Sequence, residues 1–353
     1  MRRSTLSDLA ENLGLSVNTV SRALRGKDGV GTRTRDLVLE EAVRIGYITP
    51  GASRPGTEPA PAARSRSRTI GLTIPSSTHV FASELIGAIE AGARAAGYAL
   101  DLFITEESAS QEAGIATRIT DAGLAGAVVI PVQGERDPWA RVRAEGIPVV
   151  AVSREIDQLS CDFVGVDSEA GEYAAVRHLL SQGARSIVSF EEDLAISTIA
   201  NRQRGFARAL AEVAGTTSRT VPVPSRRFET GESDWRPEEA YRACREFLDT
   251  DTAFDAVTVG DDYFALGVAR ALAERGIRVP DDVRMVGYGD HAYSAWMRPS
   301  LSSVRLPTRL IGELAVSLVL QRVAGETSPP VRRLIKPELI VRESSGPRPV
   351  TAA

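Results

Sequence analysis

The chain has 353 residues, of which 43% are hydrophobic and 25% are charged, and its net charge is −4. This length predicts more than one domain, and the sequence contains no apolar run of the ~20 residues that a membrane span needs. Two cysteines and three histidines lie scattered along the chain without the spacing of a disulfide framework or a zinc site. We therefore expect no metal and no cofactor.

The N-terminal segment is basic, whereas the rest of the chain is acidic. Residues 1–70 hold 12 Lys and Arg against 7 Asp and Glu, and the remaining residues hold 30 against 39. This distribution fits contact with nucleic acid through the first segment, although chance variation over such a length produces a similar imbalance. No apolar stretch follows the basic start, which argues against a secretory signal and predicts a cytoplasmic location.

Three short helices are predicted within the first 46 residues. The first has Thr5 as its N-cap, apolar residues at helical spacing from Leu6 to Leu13, and Gly14 at its end. After a turn of two or three residues, Ser16 is the N-cap candidate of the second helix. The third runs from about Thr34 to Gly46, with Leu37, Val38, Val43 and Ile45 facing the other two helices. Two helices too short to be stable alone thus gain a core, in a helix-turn-helix arrangement.

The second helix has a composition suited to DNA. Its predicted buried face consists of Val20, Ala23 and Leu24, and its predicted outward face of Val17, Asn18, Ser21 and Arg22. Ser and Thr hydroxyls donate to phosphates, Asn and Arg hydrogen-bond adenine and guanine edges, and Val contacts a thymine methyl. Each residue taken singly is as well explained by a helix cap or a solvated face. Their combination at this spacing favours base reading.

The segments TLSDLAENLGLSVNTVSRALRG and TRTRDLVLEEAVRIGY resemble the DNA-binding head of the LacI/GalR family of bacterial transcription regulators. The family pattern is T-x-x-D-V-A-x-x-A-G-V-S-x-x-T-V-S-R-x-L-x-G, followed by T-R-x-x-V and G-Y. The resemblance implies a homodimer that places two heads on a pseudo-palindromic double-stranded operator, with half-sites about one helical turn apart. The expected DNA-binding residues are Thr5, Ser16, Val17, Asn18, Thr19, Ser21, Arg22 and Thr34.

Residues 50–67 are rich in Pro, Gly, Ala and Arg, which predicts an extended linker between a head at 1–49 and a body at 68–345. In the family this segment reads P-N-x-x-A-R-x-L and becomes a hinge helix with a leucine wedge. The present linker lacks that Asn and Leu and is longer, so the hinge helix is not carried over. The stretch RSRSR, Arg64 to Arg68, is either a disordered arm along DNA or a soluble tether.

Strand-like apolar runs alternate with helical patterns from residue 68 onward, which predicts parallel sheets covered by helices. The predicted strands are TIGLTIP, YALDLFI, AVVIP, PVVAV, SIVSF, TVPVP, AVTVG and RMVGY. The predicted helices span Phe81–Ala96, Ser110–Ala122, Asp137–Glu145, Ala170–Ser181, Asn201–Val213, Pro237–Leu248 and Tyr263–Arg275. The two series predict two α/β lobes, with ligand sites beyond the carboxyl ends of the strands.

The body also resembles the family, in its effector domain. The matching segments include IGLTIPSSTHVFASELIGAIEAGARAAGY, FVGVDSEAGEYAAVRHL, NRQRGFARAL, VTVGDDYFALGVARALAERGIRVPDDVRMVGYGD, PSLSSVRLP and KPELIVRESS. The resemblance implies a two-lobed periplasmic-binding-protein-like domain with two parallel sheets and three crossovers, following the all-α helix-turn-helix head. It places lobe 1 at about 68–166 and 291–324, lobe 2 at about 167–290 and 325–345, and a returning helix around Pro307–Leu320.

The loops after the strands supply candidates for effector binding, namely His79, Phe81, Ser153, Thr198, Arg202, Trp235, Asp261 and Asp290. Arg and Asp hydrogen-bond hydroxyls and Trp stacks on a sugar face, so this set suits a polyhydroxylated ligand. Positions 153 and 289 hold Ser and Gly where family members often carry a ligand-binding Asp. Alternative interpretations are a packed aromatic at Trp235, an inter-lobe ion pair at Arg202 and a helix cap at Asp262.

The sequence contains no GxSxG or P-loop motif and no GxGxxG after the first strand, so we predict that the protein is not an enzyme. The function expected is that of a DNA-binding transcription regulator, most simply a repressor, controlled by a small polar effector such as a sugar. Nucleosides and phosphorylated compounds are also open as effectors. The sequence does not decide whether the effector is an inducer or a corepressor, or whether the protein represses or activates transcription. A regulator with a ligand-free sensor and a solute-binding protein are the alternatives.

Overall fold

The computed structural model describes residues 6–24, 31, 34, 37–38, 41–42, 67–134, 137–155, 160–227, 235–250 and 253–346. The chain divides into two compact units, Met1–Arg64 and Ser65–Ala353. Among these described segments, no helix has the length and apolarity to cross a membrane.

The first unit contains the helices α1, Leu6–Leu13, and α2, Val17–Leu24. Further helical residues are described at positions 34, 37, 38, 41 and 42, within the predicted third helix, and the rest of that helix lies outside the described residues. The buried core consists of Leu9, Ala10, Val20, Ala23, Val38 and Ala42. Leu37 is 50% exposed, so the expectation that it faces this core was wrong.

The second unit consists of two α/β lobes, as predicted. Its first part comprises β1 Thr69–Ile74, α3 Val80–Ala95, β2 Ala99–Ile104, α4 Ala109–Asp121, β3 Gly126–Val129, α5 Trp139–Ala144, β4 Val149–Val152 and β5 Asp162–Val166. The middle part comprises α6 Ser168–Ser181, β6 Ser186–Asp193, α7 Ser197–Ala211, β7 Thr217–Pro224, α8 Trp235–Thr250, β8 Ala256–Val259, α9 Asp262–Glu274 and β9 Arg284–Gly289. The last part comprises a 3-10 helix Ala292–Trp296, β10 Ser302–Arg305, α10 Thr308–Val323, β11 Arg332–Ile335 and β12 Glu338–Ile340.

Each lobe is built on a six-stranded sheet. The strand order is β11-β5-β4-β3-β1-β2 in lobe 1 and β12-β10-β9-β8-β6-β7 in lobe 2. Nine of the ten described strand pairs are parallel, and only β10 and β12 run antiparallel. The strands β5, β10, β11 and β12 were missing from the strands predicted by the apolar pattern.

The chain passes between the sheets three times, after β5, after β10 and after β11. The expected lobe boundaries near 290 and 324 therefore need correction. Because β10 pairs with β9, residues 302–305 belong to lobe 2, and because β11 pairs with β5, residues 332–335 belong to lobe 1. The helix α10 packs into the lobe 1 core through Ile311, Ala315 and Val319, so the expected return of this helix is confirmed.

Helices cover both faces of each sheet, which explains why the central strands read as apolar runs without alternation. In lobe 1, α3 and α10 cover one face and α4 and α5 the other. In lobe 2, α8 and α9 cover one face and α6 and α7 the other. Two helix pairs touch at glycines, since a Cβ on Gly205 would lie 2.2 Å from Glu169 O and one on Gly267 would lie 2.0 Å from Pro237 O. These positions have no room for a larger residue.

Candidate functional site

The helix α2 presents a polar face at the surface of the first unit. Ser16 Oγ accepts from Thr19 N at 3.0 Å, so Ser16 caps the helix as predicted. Val17 is 48% exposed, and Asn18 and Arg22 are exposed. Ser21, predicted to point outward, is instead buried. Three of the expected base-reading positions thus share one accessible surface.

The other expected DNA contacts are less completely described. Thr34 is a half-buried helical residue, and Thr5 lies outside the described residues. Of the Arg64–Arg68 stretch, only the last two residues are described. Ser67 N donates to Gly123 O at 3.0 Å, and the Arg68 guanidinium lies 5.4 Å from the ring centre of Tyr98. Arg68 therefore belongs to lobe 1 and not to a free arm.

A cavity lies between the two lobes at the carboxyl ends of their strands, and we call it the inter-lobe cavity. It contains about 850 Å³ of atom-free space, open solvent included. Five of the predicted effector residues line it, namely His79, Phe81, Ser153, Thr198 and Arg202. Hydroxyls of Ser76 and Ser168 and apolar side chains such as Ile130 and Ile199 complete much of its wall.

Every arginine that lines this cavity is paired with a glutamate. Arg154 pairs with Glu107, and both side chains are less than a tenth exposed. Arg202 donates through Nε and Nη2 to Glu191 at 2.8 and 2.6 Å. Arg227 Nε donates to Glu192 Oε1 at 2.6 Å. Two-point pairs of this kind fix the guanidinium planes, and they leave the wall without excess positive charge.

Pairing shifts the pKa values of Arg202 and Glu192 in the direction that favours their charged forms. Burial alone would lower the pKa of Arg202, but the charge of Glu191 outweighs it and raises that pKa. Burial would likewise raise the pKa of Glu192, yet the guanidinium of Arg227 lowers it below the ordinary value. Arg202 and Glu192 therefore stay ionised near neutral pH.

One hydrogen bond across the cavity joins His79 of lobe 1 to Asp261 of lobe 2, with 2.9 Å between Nε2 and Oδ2. His79 Nδ1 accepts from Phe81 N at 3.1 Å, so Nε2 carries the proton and donates to the carboxylate. Burial lowers the pKa of His79 and keeps the ring neutral. Burial would raise the pKa of Asp261, but the imidazole of His291, 3.5 Å away, and the hydrogen bond from His79 hold it well below its usual range.

A second set of hydrogen bonds joins the lobes near the start of α7. Ser197 N donates to Gln133 Oε1 at 2.7 Å, and Glu155 N donates to Ser197 Oγ at 3.1 Å. Gln133 Nε2 in turn donates to Glu155 O at 2.6 Å within lobe 1. Opening the lobes would break the two bonds of Ser197 together with the bond between His79 and Asp261.

Two of the predicted effector residues lie elsewhere. Trp235 is 2% exposed and packs in the lobe 2 core, with its ring centre 6.3 Å from that of Phe264. Packing of Trp235 was the alternative interpretation of the sequence. The expectation that Trp235 stacks on a ligand in the cavity is therefore corrected. Asp290 is bound by Arg305 and Arg342 at 2.7 Å each, which turns its carboxylate toward lobe 2.

Sequence reasoning missed several residues that line the cavity, above all Arg154, Arg227 and Tyr288. Arg154 follows β4 directly after Ser153, whose φ of 67° turns the chain into the left-handed region. Tyr288 lies in β9 and its ring lies 4.8 Å from the guanidinium carbon of Arg202. The strand-end rule points to these positions as well, since each lies at or just beyond the end of a strand.

Comparison with known proteins agrees with this architecture. Residues 176–345 match the family described as periplasmic binding protein-like domain. The HTH-type transcriptional regulator MalR of Streptomyces coelicolor is 29% identical over 98% of this chain and 97% of its own length. A putative transcriptional regulator of LacI family from Sanguibacter keddieii is 28% identical and superposes with a TM-score of 0.68, over 80% of this chain and 100% of that structure.

A third similar protein was solved with a ligand. The transcriptional regulator CelR in complex with cellobiose has a TM-score of 0.68 and 24% identity, and it covers 97% of this chain and 100% of its own. The relatives are transcriptional regulators rather than enzymes. The helix-turn-helix segment, the two-lobed body and these similarities agree with the resemblance of the chain to the LacI/GalR family of bacterial transcription regulators.

Proposed function

We propose that the protein is a transcriptional repressor that binds a pseudo-palindromic operator as a homodimer and responds to a small neutral polyhydroxy effector in the inter-lobe cavity. The single observation that carries the DNA-binding part is the exposed face of α2, on which Val17, Asn18 and Arg22 lie beside the capping hydroxyl of Ser16. A regulator of chromosomal genes would act in the cytoplasm.

The proposed contact of α2 with DNA divides its residues by role. Asn18 and Arg22 carry side chains that hydrogen-bond base edges in the major groove, and Val17 provides an apolar contact to a thymine methyl. Ser16 and Thr19 lie at the N-terminus of the helix, where hydroxyls and backbone N–H groups position phosphates. The specificity of the operator complex would therefore depend on three side chains.

Replacing Arg22 with alanine should reduce the preference for operator over random DNA by roughly 1–3 kcal/mol, because a base contact is lost. Fluorescence-anisotropy titrations on fragments flanking the gene, over a series of salt concentrations, measure this preference. The control Arg94→Ala removes the same charge from a side chain that is 71% exposed in the second unit. Equal weakening of specific and random binding by Arg22→Ala would mean that α2 contacts only phosphates.

The chemistry of the inter-lobe cavity favours a neutral effector. Its three lining arginines are already neutralised by Glu107, Glu191 and Glu192, whereas a phosphorylated ligand needs cationic groups to bind. Hydroxyls and ion pairs offer both donors and acceptors to a polyol, and apolar residues such as Phe81 suit the apolar face of a sugar ring. The cellobiose complex of CelR supports a sugar-like compound.

A neutral sugar that occupies the cavity should raise the melting temperature of the protein. It should bind more tightly than its phosphate ester, because the lining arginines are already paired with glutamates. Calorimetric titration of neutral sugars, nucleosides and sugar phosphates tests this order. Thr198→Val removes a lining hydroxyl and should weaken binding by about 0.5–1.5 kcal/mol, whereas Thr117→Val, on the exposed side of α4, should leave it unchanged. Tighter binding of the phosphates would contradict the proposal, and no binding at all would favour a ligand-free sensor.

Effector binding would act on DNA through the angle between the lobes. An effector shifts this angle only by binding the closed and open states with different affinity, and the bonds from His79 and Ser197 across the cavity belong to the closed state. In the proposed homodimer, this angle would change the spacing of the two heads. Trp296, 85% exposed, and Leu310, 44% exposed, are apolar side chains that a partner subunit would cover.

A further inference from the structure

Lobe 2 contains a second cavity, separate from the proposed effector site, which we call the lateral cavity. It lies between α6, α7 and the strands β6 and β7, beside the edge strand β7, and encloses about 800 Å³ of atom-free space, open solvent included. Gln203 and Phe206 of α7 form one side, and Glu172 of α6 lies on the other. Arg202 lines both the lateral and the inter-lobe cavity.

The floor of the lateral cavity is polar where a sheet covered by helices is normally apolar. Ser189 of β6 pairs in register with Thr220 of β7 and with Thr258 of β8, so three hydroxyl-bearing residues form one row across the sheet. Two residues earlier in β6, Ile187 pairs with Ala256 and belongs to the apolar core. The change from apolar to polar begins at the cavity, which indicates a polar occupant.

Glu172 is a buried acidic residue in the lining of this cavity. The residue is 5% exposed, and its Oε1 is buried with no hydrogen-bond partner among the residues that the structure describes. The neighbouring carboxylate of Glu191 already accepts two hydrogen bonds from Arg202. One arginine therefore faces two carboxylates, and ionised Glu172 leaves one negative charge uncompensated. A buried charge of this kind is stable only with a counter-ion.

The protonation of Glu172 follows from its surroundings. Burial, and then the charge of Glu191, raise the pKa of Glu172 to about 7, although Arg202 opposes them. The remaining titratable neighbour is Tyr288 of β9, whose own pKa burial raises to about 12, so it stays neutral. Glu172 is thus mostly a carboxylic acid at a pH one unit below its pKa and mostly a carboxylate one unit above it.

We propose that the lateral cavity binds a small alkylammonium ion, with its ammonium group against Glu172 and its alkyl chain against Phe206. An ammonium group carries three donors and no acceptor, which matches a carboxylate beside the hydroxyls of Ser189 and Thr220. A metal ion fits less well, because no group of three or more His, Cys, Asp or Glu within the described ranges is placed to hold one.

The test uses n-butylammonium as the probe and n-butanol as its neutral analogue, with saturation-transfer NMR on the full-length protein. We expect n-butylammonium to bind and n-butanol not to bind. Its affinity should rise about tenfold between pH 6 and pH 8, because the cation stays charged while Glu172 ionises. Equal binding of the two probes, a flat pH profile or no binding of n-butylammonium would overturn the proposal.

Variants locate the bound probe. Glu172→Gln keeps the shape of the side chain and should abolish binding at pH 8, whereas Glu169→Gln, on the same helix but paired with Arg208, should bind as the wild type does. A Glu172→Gln variant that binds n-butylammonium with wild-type affinity contradicts the assignment. Should that variant fail to fold, the pH profile of the wild type decides the matter alone.

Discussion

Replacing Asp262 with alanine will lower the free energy of unfolding by about 3–5 kcal/mol, because three donors lose their buried acceptor. The side chain is fully buried, and its carboxylate accepts from His291 N at 2.9 Å, Ser294 Oγ at 2.6 Å and Ser303 Oγ at 2.7 Å. These bonds attach the start of α9 to the 3-10 helix and to β10. Urea unfolding followed by circular dichroism measures the loss.

The matched control is Asp121→Ala, which removes an exposed carboxylate at the end of α4 and should change the unfolding free energy by no more than about 0.5 kcal/mol. The isosteric Asp262→Asn keeps one acceptor oxygen, so its loss of unfolding free energy should lie between those of Asp262→Ala and Asp121→Ala. A loss below about 1 kcal/mol for Asp262→Ala would show that the three donors find other acceptors.

Replacing Trp235 with alanine should cost about 3–5 kcal/mol of unfolding free energy, because a large cavity opens in the lobe 2 core. The indole is 2% exposed and packs in the cluster that contains Phe190, Val223 and Phe264. The same urea experiment measures the loss. Because Trp235 does not line the inter-lobe cavity, Trp235→Leu, a milder change, should bind the effector with wild-type affinity.

Trp296 offers a control of the same residue type. Its side chain is 85% exposed within one chain, so Trp296→Ala should cost far less unfolding free energy than Trp235→Ala, and any loss should depend on protein concentration because a partner subunit would cover this side chain. If Trp235→Leu instead retains the fold but loses effector binding, Trp235 contacts the ligand, and its packed position is not its functional one.

Local pattern was sufficient for the regular elements of this protein. Ser16 was identified as a helix cap because capping depends on residues three apart in sequence, and Val20 and Ala23 follow the period of a helix. The body helices lie within about four residues of their predicted bounds.

Short strands were harder to predict. The strand Arg332–Ile335 is largely exposed and carries two arginines, so only its pairing with β5 identifies it as a strand.

The candidate site was predictable in its position but not in its contacts. Strands of a parallel sheet end on one side, so residues after the strands, such as His79, Thr198 and Arg202, were expected to meet. The neighbouring sequence did not show which residue each of these side chains would pair with. Glu191, eleven residues before Arg202, neutralises it, and adjacent Asp261 and Asp262 point to different partners, one across the cavity and one within lobe 2.

The sequence by itself determined the resemblance to the LacI/GalR family, the helices of the body, most of the central strands and the two-lobed architecture, because these depend on short-range periodicity and on motifs of neighbouring residues. The tertiary structure alone decided that Ser21 and Trp235 are buried, that Asp290 binds Arg305, and that Glu172 lines a cavity with its Oε1 unpaired among the described residues. Burial and charge pairing join residues that are distant in the chain, so they arise only when the helices and sheets pack together.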